Sequence, residues 1–275
     1  MYMKLKDGKS KVLTLSYDDG VVQDIRFMKI LDKYGLKCTF NISSGKYVAE
    51  ENVRETFFGR MKLSEAKKLY IGSGHEVAIH GYNHPHLDRL KTASVLTEVL
   101  DDRRAIERDY GVIARGMAYP YGKYSDSVIQ MLEKCDIAYS RTTKSTEKFT
   151  FPEVWHTWHP TCHHKNPRLM ELAKQFAEGS LRYPSECHMF YLWGHSYEFD
   201  RNDNWQIIEE FCEHAAGRDD VWYATNIEIC DYINAVRRLA VGVDGNAVHN
   251  PSGVDVWVTV NGEAVKIPAG QTVAF

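Results

Sequence analysis

Two carboxylates close the segment Thr14-Leu15-Ser16-Tyr17-Asp18-Asp19-Gly20, at the end of an apolar run and just before a glycine that lets the chain turn. Side by side in an apolar mouth they would repel unless a cation or guanidinium neutralises them, so the pair asks for a metal nearby. Taken alone it also reads as a solvated Asp-Asp-Gly turn. A second segment, His80-Gly81-Tyr82-Asn83-His84-Pro85, sets two imidazoles four residues apart after another apolar run. Imidazole with carboxylate suits zinc and related transition metals, and two histidines with one carboxylate leave a position open for water and substrate. An HxxxH in a chain with 12 histidines is modest evidence by itself. Both motifs together, each at a predicted strand end, make coincidence hard to sustain.

Two further segments carry reactive groups. Arg115-Gly116-Met117-Ala118-Tyr119-Pro120-Tyr121-Gly122 offers a guanidinium that could pin Asp18, although a surface ion pair is the commoner fate of an arginine. Leu192-Trp193-Gly194-His195 places a histidine beyond a very apolar run, where a lone histidine is most often structural but a strand-end position favours chemistry.

The elements that must position these residues alternate as βα units around a parallel sheet. Strands are expected at Val12 to Ser16, Cys38 to Ile42, Glu76 to His80, Gly116 to Tyr119, Ile137 to Ser140, His188 to Trp193 and Val221 to Tyr223. Helices are expected after Asp24 with Gly35 as the stop, from Ser64, over Thr92 to Tyr110, and at 126–134, 168–178 and 205–216. Thr225 and Glu228 have capping-box spacing ahead of a final helix. From Val241 the pattern changes to alternation, and Asn261-Gly262 signals a hairpin between Val254 to Val260 and Glu263 to Ile267. Residues 1–240 therefore read as one α/β barrel and 241–275 as a small C-terminal β appendage. The segment from Glu147 to Pro167, rich in Trp and His, reads as the longest irregular loop.

Composition narrows the partners. With 44% hydrophobic and 26% charged residues the chain can bury a core, and a net charge of -3 gives no basic footprint for nucleic acid or anionic membrane. Six scattered cysteines read as reduced thiols, and the amino-terminal stretch lacks the apolar run of a signal peptide, so a cytoplasmic location is expected.

In order, Asp18-Asp19-Gly20, His80 with His84, Arg115 with Pro120-Tyr121, and Leu192 with His195 resemble the polysaccharide deacetylase family, also called the NodB homology domain or carbohydrate esterase family four. The resemblance covers roughly residues 10 to 240 and implies a distorted (β/α)7 barrel. It further implies that Asp19, His80 and His84 hold one divalent metal ion, with zinc as the default and cobalt, nickel or iron as alternatives. Asp18 would be the general base, Arg115 its orienting partner, and His195 the general acid. The Tyr121 N–H would stabilise the oxyanion, and Leu192 and Pro120 would lie against the substrate.

One departure stands out: the family's Asp-Trp motif, which tunes the catalytic histidine, is not recognisable. The nearest analogue is Trp155-His156-Thr157-Trp158-His159-Pro160-Thr161-Cys162-His163-His164, in which Trp155 and Trp158 are candidates for lining the substrate groove and His163 or His164 for supporting the site. The expected reaction is hydrolysis of acetyl groups from an N- or O-acetylated oligosaccharide or polysaccharide fragment. A cyclic ureide or imide is the alternative substrate, and a carbohydrate-binding pseudoenzyme the reading from another class.

Overall fold

In a computed structural model, which describes residues 1–51, 59–179, 181, 183 and 185–275, the chain is a mixed α/β protein built on a parallel sheet. The strands are β1 (Tyr2–Lys4), β2 (Lys11–Asp18), β3 (Cys38–Ile42), β4 (Glu76–Ile79), β5 (Gly116–Ala118), β6 (Tyr139–Arg141), β7 (Cys162–His163), β8 (His188–Gly194) and β9 (Val221–Tyr223). The helices are α1 (Asp24–Lys33), α2 (Leu63–Tyr70), α3 (Thr92–Tyr110), α4 (Asp126–Lys134), α5 (Leu169–Glu178), α6 (Tyr197–Arg201), α7 (Gln206–Ala215) and α8 (Asn226–Arg237). Seven strands run in the order β6-β5-β4-β3-β2-β8-β7, and β9 leans on the start of β2. This is the distorted (β/α)7 barrel that the resemblance implies.

Alternation along β2 divides the molecule into an outer and an inner layer. Leu13, Leu15 and Tyr17 pack outward with Phe27 of α1 and Phe211 of α7 in the main apolar core. Val12 packs in a second cluster with Tyr139, Trp158, Met189 and Tyr191. Polar groups on the inner face are hydrogen-bonded across strands, as burial demands. Thr14 Oγ1 meets Asn226 Oδ1 at 2.9 Å, and Glu76 accepts from Thr39 Oγ1 (2.7 Å), Tyr139 Oη (2.7 Å) and the Ile227 N–H (2.9 Å). Glu76 thereby ties the start of α8 to the barrel, and the Thr225–Glu228 capping box closes the same helix end.

Register brings the chemistry to one rim. Asp18 pairs in register with Asn41, Tyr17 with Gly194, and Ala118 with Arg141, so the carboxyl ends of β2, β3, β5, β6 and β8 face a common mouth. The segment expected as an irregular loop carries β7, which pairs with β8, and Tyr197–Arg201 adds a short helix directly after His195.

The carboxyl-terminal strands are β10 (Ala240–Val241), β11 (Ala247–His249), β12 (Val256–Val260), β13 (Glu263–Ile267) and β14 (Thr272–Ala274). The Asn261-Gly262 turn has φ of 50° and 89°, as a primed hairpin turn requires. The appendage is more than a hairpin: it forms two three-stranded sheets, and β1 from the other end of the chain pairs with β12. Its backbone is tied to the barrel through Tyr232 of α8, whose hydroxyl donates to Lys4 O of β1 and accepts the Trp257 N–H of β12. All six cysteines are free, and no helix among the described residues is long and apolar enough to cross a membrane.

Candidate active site

Asp18 ends β2 almost wholly buried, and its two oxygens have separate anchors. Oδ1 accepts from Asn41 Nδ2 at 2.9 Å, and Oδ2 accepts from Arg141 Nη2 at 2.5 Å. Arg141 is itself fully buried, donates from Nη1 to Thr142 O at 3.2 Å, and lies over the Trp193 ring at 4.5 Å. Burial alone would raise the Asp18 carboxyl, but Arg141, with His80 and His195, holds it below the usual carboxylate range. The result is an ionised carboxylate with a hydrogen bond to each oxygen.

Asp19, one residue on, turns out of the strand in the left-handed region at φ 90°. His84 and Tyr121 share that region at φ 56° and 57°, so backbone strain gathers on this rim. His80 Nε2 and His84 Nε2 stand 3.1 Å apart, and His84 Nε2 is 3.7 Å from Asp19 Oδ1. Three ligands bound at ~2.0–2.2 Å in tetrahedral geometry stand about 3.3–3.6 Å from one another, which matches this spacing. His80 Nδ1 donates to Ala118 O at 2.7 Å, so the Nε2 lone pair points at the group. Burial lowers both imidazoles, His84 to about 4, keeping them neutral as ligands must be. Burial opposes ionisation of Asp19, yet Arg60, whose Nη2 lies 2.8 Å from Oδ1, and the nearby histidines bring it down to about 2. Asp19, His80 and His84 fit a divalent ion.

These groups open on a cavity of about 410 Å³ lined by Asp18, Asp19, His80, His84, Tyr119, Tyr121, Thr143, Trp193, His195 and Tyr197. The Tyr121 ring is half exposed and stacks on His86 with centroids 3.9 Å apart. His195 faces the cavity with Nε2 3.9 Å from Asp18 Oδ2, while its Nδ1 lies 3.5 Å from Glu198 Oε2. His163 and His164 approach the same Glu198 oxygen at 3.1 Å each.

Several expectations are corrected. Arg115 does not reach Asp18: it immediately precedes β5, at the opposite end of the barrel, and pairs with Asp231 of α8 at 2.5 Å. Arg141, the last residue of β6, takes that place; reading the strand as ending at Ser140 left it out by one residue. Leu192 is buried in the outer core, and strand alternation turns Trp193 into the cavity instead. Trp158 is fully buried in the second core cluster, and Trp155 packs on it while donating to Asn234 Oδ1 at 2.8 Å, so neither lines the cavity. Pro120 packs toward Gly81 of the His80–His84 turn rather than into the cavity. Glu198 escaped the sequence reading altogether, although its position three residues after His195, one helical turn on, was a usable signal.

The sequence profile described as polysaccharide deacetylase matches residues 5–140. A chitooligosaccharide deacetylase of Bradyrhizobium is 30% identical over 129 residues, 45% of this chain and 52% of that protein. A chitin deacetylase of Cryptococcus neoformans is 33% identical over 86 residues, 30% of this chain and 18% of that protein. The chain thus spans about half or less of these curated relatives. A crystal structure from Mycobacterium smegmatis assigned to the polysaccharide deacetylases superposes with a TM-score of 0.59 at 16% identity, covering 86% of this chain and 96% of that one.

Proposed function

Because the chain belongs to the polysaccharide deacetylase family through residues 5–140, we propose that it is a metal-dependent hydrolase removing acetyl groups from an N- or O-acetylated saccharide. The observation that carries this reading is the convergence, on one cavity, of Asp18, held by Arg141 and Asn41, of the Asp19, His80 and His84 group, and of His195. Asp19, His80 and His84 would hold the ion, whose chemistry when bound is to polarise a carbonyl and acidify water.

Asp18, ionised and fixed by Arg141 and Asn41, takes the proton from the attacking water. His195, on the other side of Asp18, gives a proton from Nε2 to the departing nitrogen or oxygen. The left-handed turn at Tyr121 is where a backbone N–H would meet the developing oxyanion. Trp193, Tyr119, Tyr121 and Tyr197 give the cavity aromatic walls suited to the apolar face of a sugar ring, and its size lies at the small end for ligand pockets. The presence of both Asp18 and His195 speaks against a binding relic.

The test is acetate release from N-acetylglucosamine oligomers and from acetylated xylan by zinc-loaded protein, beside Asp18→Asn. Release by the wild type and its loss in a folded Asp18→Asn support the reading. Full release by the variant, or none by the wild type on either substrate class, overturns it.

A further inference from the structure

His195 stands between two carboxylates. Its Nε2 lies 3.9 Å from Asp18 Oδ2, and its Nδ1 lies 3.5 Å from Glu198 Oε2, an ion-pair separation; among the described residues neither Nδ1 nor Oε2, both buried, has a hydrogen-bond partner. Glu198 sits on α6 and is itself crowded with donors. Its Oε1 accepts from Lys165 Nζ at 2.5 Å and Arg201 Nη2 at 3.1 Å, and its Oε2 is 3.1 Å from Nε2 of both His163 and His164.

Proton positions follow from the far side of each ring. The Lys165 N–H donates to His163 Nδ1 at 3.0 Å, so the proton of the neutral ring sits on Nε2, toward Glu198. The Tyr17 hydroxyl meets His164 Nδ1 at 3.2 Å, and with that O–H donating, His164 also carries its proton on Nε2. Burial lowers both imidazoles and keeps them neutral. Although burial opposes ionisation of Glu198, donors from His163, His164, His195 and Lys165 hold its carboxyl far below the usual range.

The surroundings hold this segment still. Ser196 Oγ donates to Asp24 Oδ1 at 2.5 Å, tying the residue after His195 to α1. A Cβ at Gly194 would overlap the His164 ring, so a glycine there lets the imidazole close on the strand end.

We propose that Glu198 is the positioning residue of His195: its carboxylate accepts the Nδ1–H, aims Nε2–H into the cavity, and stabilises the imidazolium from which the leaving group takes its proton. His163, His164, Lys165 and Arg201 form the cradle that keeps this anion ionised and in place. The inference rests on the reading of His195 as the proton donor. A divalent ion on His163, His164 and Glu198 is the competing occupant of the cluster. The proton on His163 Nε2 and the two cationic side chains on Oε1 stand against it.

The charged and titratable groups facing His195 are Asp18 and Asp19 at the end of β2, Glu198 and Tyr197 on α6, His163 on β7, and His164 directly after it. Burial works against its charged form, but Glu198, Asp18 and Asp19 outweigh it and raise the imidazole above its ordinary value. Zinc-loaded protein with ¹⁵N-labelled histidine, followed by NMR from pH 5 to 9, reads the His195 titration without any substrate; the signal is assigned by its loss in His195→Gln. Glu198→Gln is expected to lower the midpoint by about one unit or more, and Glu198→Asp, which keeps the charge, by less. Bound zinc should stay at one equivalent per chain in both. An unmoved midpoint in Glu198→Gln overturns the proposal. Should that variant not fold, the midpoint in Glu198→Asp, moved or unmoved, decides in the same way. Loss of one of two zinc equivalents assigns the cluster to a metal instead. Full acetate release by His195→Gln would sink the proton-donor reading separately, whatever the NMR shows.

Discussion

Replacing Arg141 by Met should cripple the protein's chemistry, whereas the same change at Arg115 should leave it nearly untouched. Arg141 and Asp18 are 0% and 3% exposed and meet at 2.5 Å, so removal of the guanidinium leaves a carboxylate buried without its counter-charge. Breaking such a pair costs about 3–5 kcal/mol. At ~2–4 °C per kcal/mol for a chain of this size, the melting temperature should fall by roughly 6–20 °C. Arg115 and Asp231 are 36% and 39% exposed, and a screened pair of that kind contributes about 0–1 kcal/mol. Activity should follow the same division. A positioned general base is worth ~10²–10⁴-fold, so acetate release by Arg141→Met should drop at least about a hundredfold, while Arg115→Met keeps wild-type rates. The pH dependence has a definite sign. The folded Asp18 carboxyl titrates below its unfolded value, so the pair's contribution is present above the ordinary Asp range and is lost as pH falls through the folded value. The melting gap between wild type and Arg141→Met should therefore narrow toward acid pH. Differential scanning calorimetry from pH 3 to 8 and an acetate assay decide it. Wild-type rates in Arg141→Met with loss in Arg115→Met would refute the assignment.

Other expectations follow from the same geometry. Added zinc should raise the melting temperature of chelator-stripped wild type but not of His80→Ala, because an ion that binds only the folded ligand group stabilises by mass action; equal shifts in both proteins would place the ion elsewhere. Leu192→Ala should cost about 2–5 kcal/mol of stability with kcat retained, whereas Trp193→Ala should lower kcat/KM with a smaller loss of stability, as denaturant curves beside acetate kinetics would show. Burial pushes the Glu76 carboxyl up to about 7 against its hydrogen bonds from Ile227, Thr39 and Tyr139. Its folded value is above its unfolded one, so that contribution is present at acid pH and lost as pH rises through about 7. The melting temperature of Glu76→Gln relative to wild type should thus increase between pH 5 and 8, and a pH-independent difference would contradict it.

The sequence by itself determined whatever depends on near neighbours. The alternation of β2, the capping box at Thr225 and Glu228, the Asn261-Gly262 turn and the spacing of His80 and His84 are local, and strand-end placement in a parallel barrel then put Asp18, Asp19, His80 and His195 on one rim. Partners across strands were decided by the tertiary structure. Arg115 precedes β5 and Arg141 ends β6, and three residues of strand, about 10 Å, separate the two ends of the barrel wall; only register and strand direction tell which guanidinium stands beside Asp18. Direction along the strand could have excluded Arg115, but nothing local could have named Arg141. Leu192 and Trp193 differ by one step of the pleat, so the choice between core and cavity rests on which face of β8 the barrel turns inward. The Trp residues of the His-rich segment went to the core because β7 joins the sheet beside β8, a pairing made by chain segments far apart in sequence. Glu198 acquires its meaning in the same way: one helical turn from His195, it becomes an anchored anion only when His163, His164 and Lys165 fold across it from another strand.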